Sequence, residues 1–296
     1  MMPYFDRVPQ QLDIVIDFLR QQQARGLTHV DLDDRARQFL IQLSKQQKSS
    51  AAGPTRAEPT RSAPLAAAVA RPDAEPAPIV EPATPILTTG NSKAEKLADL
   101  RRQLLTFPQK RGLSQLRQKL VFSQGNPDAA IVFVGEAPTH PDEQQGSPFA
   151  GAIGEKLDEI LKAMGLSRAE VYITHLVKYR PAMKNQTTNN RTATPAEIAA
   201  FLPVLAHEME IVRPKVLIAL GTPVSQALCE SRETLDALGG RWHDWNSVPL
   251  RVTESPSFLL TAATAKKRKF WEDMLAVMEK VQMPINDKQR SYFLTK

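Results

Sequence analysis

Short apolar runs alternate with helical patterns along the whole stretch from residue 93 to residue 281. Four runs of five or six residues have the composition of buried β-strands: 130–134, 171–176, 215–220 and 248–252. Apolar residues at helical spacing fill the segments 93–105, 154–164, 195–211 and 266–281, and a further helix runs through Cys229. Strands that are separated by helices predict a mostly parallel sheet covered on both faces. The predicted fold class is therefore α/β, a three-layer α/β/α sandwich.

The loop after the first strand is rich in carboxylates and turn residues. The strand stops at Gly135, and the loop carries Glu136, Asp142 and Glu143 before a Gly-Ser-Pro-Phe turn at 146–149 leads into the next helix. Ligands of parallel α/β sheets sit beyond the carboxyl ends of strands, so these groups are well placed for chemistry. The alternative is that the carboxylates are solvated and cap the next helix.

Composition divides the rest of the chain. Residues 1–48 contain two helical patterns joined around Gly26, which predict a helical hairpin that either binds a partner or is a marginal appendage. Residues 49–91 hold eight prolines and few aromatic residues, the composition of a disordered linker. The α/β domain is expected at 92–283, with a C-terminal tail at 284–296.

Bulk properties limit the class of protein. No run approaches the ~18 apolar residues of a membrane span, and the N-terminus lacks a secretory pattern, which predicts a cytoplasmic protein without membrane association. The single cysteine, Cys229, excludes an internal disulfide framework. A net charge of +6 and a pI near 9.4 suit a polyanionic partner.

Four segments of the α/β domain resemble the thermostable, iron–sulfur branch of the uracil-DNA glycosylase superfamily. These segments are 135–138 (GEAP), 146–151 (GSPFAG), 171–181 (VYITHLVKYRP) and 213–221 (RPKVLIALG). They are collinear with the family over about residues 95–283, and their order and spacing make the resemblance specific. The resemblance implies a parallel four-stranded sheet between helices. It also implies action on uracil or another altered base in single- or double-stranded DNA, as part of base-excision repair.

The resemblance also implies a base pocket. Glu136 corresponds to the carboxylate that positions water or stabilises the cationic sugar, and Phe149 to the aromatic residue that stacks on a flipped base. The backbone around Gly135 and Ala137 would contact the base edge. His175 stands where the family reads the base with asparagine, and an imidazole cannot reproduce that bidentate contact. From the residues alone, Phe149 is more often a core residue, and His175 more often a structural histidine.

A second motif of the family, His-Pro-Ser followed by an apolar pair, corresponds to the segment 255–260. Ser255 replaces the histidine that donates to the base oxygen, and the resemblance places Ser257 and Leu259 against DNA. The cations Lys266, Lys267 and Arg268 open the following helix. They would ordinarily form the exposed start of an amphipathic helix, although cations there oppose the helix dipole and favour a phosphate partner.

The family binds a [4Fe–4S] cluster through four cysteines, and this chain departs from that pattern. Tyr179 and Phe201 occupy two of the cysteine positions, and residues 95–122 contain no cysteine. One thiolate cannot hold a cubane cluster, and the aromatic replacements suggest apolar packing in its place. The histidines at 140, 207 and 243 show no metal-ligand spacing. We therefore predict no metal and no cofactor.

Two functions are compatible with these observations. One is a cluster-free DNA glycosylase in which Phe149 stacks on the base, His175 and Ser255 contact it and Glu136 assists water. The other is a catalytically weak or inactive relative that keeps nucleic-acid or base binding and recruits a partner through residues 1–48. The changes at the cluster, at His175 and at Ser255 favour loss or change of activity. The intact 135–138 and 146–149 segments argue against simple decay of the enzyme.

Overall fold

A computed structural model describes residues 86–293. The predicted hairpin at 1–48, most of the predicted linker and the last three residues of the tail lie outside the described residues. Residues 86–91, which composition assigns to the linker, contact the α/β domain: Thr89 donates from its backbone nitrogen to Asp99 Oδ2 at 2.9 Å, and Thr88 Oγ1 lies 3.0 Å from His207 Nε2. Ile86 also packs against the core, so the domain begins no later than residue 86.

Eight strands are present in the described range. In chain order they are β1 Leu116–Leu120, β2 Gln124–Gly125, β3 Ile131–Gly135, β4 Tyr172–His175, β5 Tyr179–Pro181, β6 Val216–Leu220, β7 Trp242–Trp245 and β8 Val248–Thr253. Six of them form one sheet in the order β2-β4-β3-β6-β8-β7, while β1 and β5 form a separate antiparallel pair. The four central strands are parallel to one another, and β2 and β7 add antiparallel edges. The predicted four-stranded parallel sheet is confirmed, with two edge strands that the sequence did not predict.

Ten helices connect or flank the strands within residues 86–293. They are α1 Lys93–Leu104, α2 Phe107–Lys110, α3 His140–Gln145, α4 Gly151–Met164, α5 Pro195–Val212, α6 Thr222–Leu228, α7 Leu235–Leu238, α8 Pro256–Leu259, α9 Thr264–Lys280 and α10 Asp287–Arg290. None of these helices combines the length and apolar character needed to cross a lipid bilayer.

Alternating side chains of the central strands build two cores, one on each face of the sheet. Val132 and Val134 of β3 pack with residues of α1 and α5, whereas Ile131 and Phe133 pack with residues of α4 and α9. Successive residues of a strand point to opposite faces, so a strand that is apolar throughout must be covered on both. This confirms the three-layer α/β/α arrangement and places the carboxyl ends of β3, β4, β6 and β8 along one edge.

Candidate active site

The predicted pocket residues lie where the central strands end. Gly135 at the end of β3 is in register with His175 at the end of β4, and the two strands are adjacent and parallel. Ser255 follows β8, on the far side of β6, and a Cβ atom added to Gly221 at the end of β6 would lie 3.4 Å from Ser255 Cβ. Strands spaced by about 4.8 Å put the backbones of His175 and Ser255 roughly 14 Å apart. The structure therefore brings Gly135, Phe149 and His175 together and leaves Ser255 across the strand ends from them.

The rings of Phe149 and His175 are stacked on each other. Their centroids are 4.7 Å apart and their planes differ by 25°. The two residues are buried, with exposed fractions of 5% and 3%. Both rings also pack on Gly135, since a Cβ atom there would lie 2.5 Å from His175 Nδ1 and 2.6 Å from Phe149 Cζ. Only glycine is therefore compatible with this position as the rings now lie.

The His175 ring is short of polar partners. Among residues 86–293, neither Nδ1 nor Nε2 has a hydrogen-bond partner. Nε2 lies 3.4 Å from Asp142 Oδ2, which is an ion-pair distance without the geometry of a hydrogen bond. Buried polar atoms without partners are rare in folded proteins and call for an explanation.

Asp142 organises the loop between β3 and α4. Its Oδ2 accepts the N–H of Thr139 at 2.8 Å and its Oδ1 the N–H of Ala150 at 2.5 Å, so one buried carboxylate joins the start of α3 to the start of α4. Burial by itself would raise the pKa of Asp142, but His175 and the two amides hold this pKa below its usual value. Asp142 does cap a helix, as the alternative interpretation held, but it is buried rather than solvated.

Phe149 is held in an unusual backbone conformation by Arg168, a residue that the sequence did not single out. Phe149 has φ +53°, in the left-handed region. Arg168 Nη2 donates to the carbonyl oxygens of Phe149 at 2.7 Å and Gly154 at 3.2 Å, and Nη1 donates to that of Pro148 at 3.1 Å. Its Nε donates to Asp158 Oδ1 at 2.5 Å. The guanidinium thus ties the turn before α4 to the helix and stabilises the left-handed backbone conformation of Phe149.

Glu136 points toward the start of α5. Its Oε1 accepts the N–H of Ala193 at 2.7 Å, and its Oε2 accepts no hydrogen bond from the described part of the chain. Burial raises the pKa of Glu136, while the amide of Ala193 and the charge of Arg191 act in the opposite direction. Arg191 is itself paired with Glu197, the capping residue of α5. A half-buried carboxylate with one unpaired oxygen can hold a water molecule or face a positive charge.

Glu143 and Arg180 brace the next loop. Arg180 is 1% exposed and donates through Nη1 to Glu143 Oε2 at 2.9 Å. Its Nη2 donates to the carbonyl oxygens of Thr187 and Asn189, at 2.8 and 2.7 Å. The interpretation of Glu143 as a solvated carboxylate is therefore wrong. This bridge fixes the loop that leads to Ala193 and hence the amide that holds Glu136.

Ser255 begins a short helix rather than standing free. Its Oγ accepts the N–H of Phe258 at 3.3 Å and lies 2.8 Å from Ser257 Oγ. Leu259 is 3% exposed and packs in the core formed with α4 and α9, so this structure does not present the side chain to DNA. The exposed apolar residues of this segment are its neighbours Phe258 and Leu260, each 42% exposed. One turn of helix buries every third or fourth residue, and this helix turns Leu259 inward.

The cations at the start of α9 are mostly paired. Lys266 Nζ lies 2.7 Å from Asp236 Oδ1, and this hydrogen bond raises the pKa of Lys266. Arg268 pairs with Glu272 one turn later, at 3.0 Å. Lys267 makes no ion pair with any residue from 86 to 293. The predicted basic face thus offers Lys267 most directly to a phosphate.

Aromatic side chains fill the region where the resemblance implies cluster ligands. The ring centroid of Phe201 lies 5.0 Å from that of Phe107 and 6.3 Å from that of Tyr179, and the Tyr179 hydroxyl donates to the carbonyl oxygen of Leu104 at 2.6 Å. Burial raises the pKa of Tyr179 to about 12. Cys229 caps α6 instead. These side chains do not fit an iron–sulfur cluster, and no three His, Cys, Asp or Glu side chains between 86 and 293 are arranged to hold a metal ion.

Comparison with known proteins agrees with this arrangement. The family model described as the uracil DNA glycosylase superfamily matches residues 122–277, which is more than half of the chain. The chain belongs to the uracil-DNA glycosylase superfamily. The matched range runs from just before β2 to within α9, and so contains the whole six-stranded sheet of this glycosylase-family fold and every predicted site residue.

Several curated members of the superfamily are similar to this chain. The type-4 uracil-DNA glycosylase of Thermotoga maritima is 38% identical over 146 residues, which cover 49% of this chain and 73% of that protein. The type-4 enzyme of Saccharolobus solfataricus is 34% identical over 160 residues, 52% of this chain and 71% of the relative. That of Archaeoglobus fulgidus is 39% identical over 132 residues, 45% and 63% of the two chains.

Proposed function

We propose that this protein is a DNA glycosylase that hydrolyses the N-glycosidic bond of uracil or another altered base in single- or double-stranded DNA. We propose further that it acts without an iron–sulfur cluster. The observation that carries the proposal is the joint placement of Gly135, Glu136 and Phe149 at the carboxyl ends of β3 and β4, within a fold whose similar relatives are named uracil-DNA glycosylases.

In this proposal, Glu136 acts on the sugar side of the scissile bond. Glycosidic cleavage passes through an oxocarbenium-like state, which a nearby carboxylate stabilises while it orients the attacking water. The Oε2 atom is free of protein partners in the described range, and Ala193 fixes the other oxygen. Burial raises the pKa of Glu136, and the proposed mechanism needs its carboxylate form. As the pH is lowered, the rate of base release should therefore begin to fall at a higher pH than it would with an ordinary glutamate.

The base and the DNA would be held by separate parts of the strand-end surface. Phe149 provides the stacking face, the backbone of Gly135 and Ala137 the edge contacts, and His175 and Ser255 the remaining polar contacts. Ser257 and the exposed Phe258 and Leu260 would support a flipped nucleotide from the groove, which enzymes acting on a base in a duplex require. Lys267, with Lys266 and Arg268 beside it, would contact phosphates.

The test is base release from defined oligonucleotides. The full-length protein is incubated with single- and double-stranded DNA that carries uracil, hypoxanthine, xanthine or a mismatch, and abasic sites are then cleaved with alkali. We expect scission with at least one altered base and its loss in Glu136→Gln. Glu279→Gln, which changes an exposed carboxylate at the end of α9, is the matched control and should retain scission. Scission that survives in Glu136→Gln would contradict the assigned role.

A second candidate function is supported by the state of the pocket. The Phe149 ring is covered by His175, and Ser255 is engaged in capping α8. These contacts favour a weak or inactive relative that binds DNA and recruits a protein through residues 1–48. Salt-sensitive DNA binding without scission of any of the substrates would select this function. Deletion of residues 1–48 should then leave DNA binding intact and remove the partner.

A further inference from the structure

The imidazole of His175 lies on the ring that a bound base would need. With the stack in place, Phe149 is only 5% exposed, so no face of its ring is open to a further planar group. A five-membered imidazole and a pyrimidine are both flat and present similar stacking faces. The His175 side chain therefore occupies the position in which a base would stack on Phe149.

The ring nitrogens of His175 indicate that this side chain does not have an ordinary structural role. His175 is only 3% exposed, yet both ring nitrogens lack hydrogen-bond partners within the described chain. A structural histidine normally places at least one nitrogen on a partner. The nearest carboxylate oxygen, Asp142 Oδ2, is 3.4 Å away and already accepts the N–H of Thr139.

The backbone around His175 is held by hydrogen bonds, so a change of conformation at this position would be confined to the side chain. The backbone next to it is fixed because Leu176 N donates to Gly135 O at 2.8 Å and Val177 N donates to Glu136 O at 2.9 Å. Its own carbonyl oxygen accepts from Lys178 Nζ at 2.6 Å. A rotation about the side-chain bonds of His175 would uncover Phe149 and would not require these backbone hydrogen bonds to break.

We infer that His175 is a gatekeeper of the base pocket, whose imidazole covers Phe149 in the free protein so that a flipped nucleobase binds only after this side chain rotates away. The inference rests on the proposed function in one respect, since it takes Phe149 as the base-stacking residue. It assigns to His175 a direct part in selectivity: a base must replace the imidazole stack as well as leave the DNA stack. Bases that are already unstacked or mispaired are therefore favoured.

The stack can be tested without DNA by NMR of the histidine rings. The chain has five histidines, and ring-current shielding by Phe149 should move the ring protons of one of them upfield. The shifted signals should disappear in His175→Ala and move downfield in Phe149→Leu. His207→Ala, which removes a partly exposed imidazole on α5, should leave them in place. Absence of a shielded histidine in the full-length protein would overturn the inference.

Binding measurements test the gate itself. We compare the affinity for a duplex carrying uracil opposite guanine with that for the matched undamaged duplex. His175→Ala and His175→Asn should increase this preference on the order of ten- to hundredfold, the worth of one base–aromatic stack. Free imidazole, which can refill the cavity of His175→Ala, should reverse the gain in that variant. An unchanged or reduced preference in two folded variants would overturn the inference.

The outcomes separate this inference from the proposed function. Base release by the native protein, without any gain in preference in the two variants, leaves the glycosylase proposal standing and overturns the gate. No release by the native protein, together with altered-base preference in His175→Ala, supports the gate and refutes the glycosylase proposal for the native chain. If the native protein releases no base and neither variant gains a preference for the altered-base duplex, both fail.

Discussion

A buried ion pair beneath the pocket gives the strongest prediction about stability. Lys178 and Glu208 are each 0% exposed, and Lys178 Nζ lies 2.5 Å from Glu208 Oε2. Lys178 also donates to Thr174 Oγ1 at 2.5 Å and to the carbonyl oxygen of His175 at 2.6 Å, while the Tyr172 hydroxyl donates to Glu208 Oε1 at 2.8 Å. Burial lowers the pKa of Lys178, and the charge of Glu208 opposes that shift. Each of the two buried charges, on Lys178 and on Glu208, is therefore stabilised by the other.

The size of the effect follows from which charge is left alone. Lys178→Met leaves the Glu208 carboxylate buried with only hydroxyl donors, and breaking a buried pair in this way costs about 3–5 kcal/mol. For a domain of this size each kcal/mol lowers Tm by roughly 2–4 °C, so the expected loss is about 6–20 °C. Lys178→Met combined with Glu208→Gln removes both charges and keeps an acceptor for Tyr172. The double variant should therefore be more stable than Lys178→Met alone by at least ~2 kcal/mol.

The assay is urea unfolding followed by circular dichroism, with Lys162→Met as the control. Lys162 is exposed on α4, and its replacement should change the free energy of unfolding by less than about 0.5 kcal/mol. The double-mutant cycle isolates the coupling between Lys178 and Glu208. Additive losses in the cycle, or a Lys178→Met variant as stable as the control, would refute the reasoning.

Three further predictions concern the loop after β3. Gly135→Ala forces a Cβ atom into the Phe149 and His175 rings and should lower the free energy of unfolding by about 1–3 kcal/mol. The loss should be smaller in a His175→Ala background, which thermal unfolding of the alanine and glycine forms in both backgrounds measures. Asp142→Asn should flatten the acid side of the stability curve. The depressed pKa of Asp142 contributes stability above its unfolded value near ~3.9, which is lost as pH falls through the folded pKa; an unchanged acid limb would argue against this. Arg168→Met should cost about 1–3 kcal/mol by leaving the Phe149 carbonyl oxygen unpaired and should weaken binding to altered-base DNA, with Arg168→Lys intermediate in both measurements.

The central sheet could be predicted from the sequence because its strands are buried on both faces. β3 and β6 are continuous apolar runs, and their observed bounds lie within one residue of the predicted ones. β4 and β8 are mainly apolar but include Thr174 and Arg251. The edge strands β2 and β7 carry no such signal. Gln124–Gly125 is two residues long, and Trp242–Trp245 includes His243 and Asp244. Such short polar strands form because a neighbouring strand offers free hydrogen-bonding groups.

The candidate site was predictable where its parts are close in sequence. Gly135, Glu136 and Phe149 follow one strand, and the strand-end rule locates all three. The residues that support them come from distant segments: Arg168 reaches back from beyond α4 and Arg180 holds a loop that leads to α5. Leu259 was assigned to the surface by its position in a motif, whereas the turn of α8 directs it into the core. The order of residues along the chain does not reveal which way these side chains point in the folded protein.

The distance between the ends of β4 and β8 determines which substitutions could increase uracil release. His175 and Ser255 end strands that have β3 and β6 between them, roughly 14 Å apart at the backbone, so neither side chain can do the work of the other. Ser255→His would restore a donor aimed at the base oxygen, and an oriented donor of this kind contributes about 10²–10³ in rate. The gain requires that a base reach the pocket, which the His175 stack opposes.

We therefore expect Ser255→His alone to change uracil release little, and the double variant His175→Asn with Ser255→His to increase it by about 10²-fold or more over the native protein. Single-turnover release from uracil-containing DNA measures this, with Glu136→Gln in the same background as the inactive control. A double variant that releases uracil no faster than the native protein would show that the two side chains are not what limits the reaction. The limit would then lie in the loop that Arg168 and Asp142 hold around Phe149.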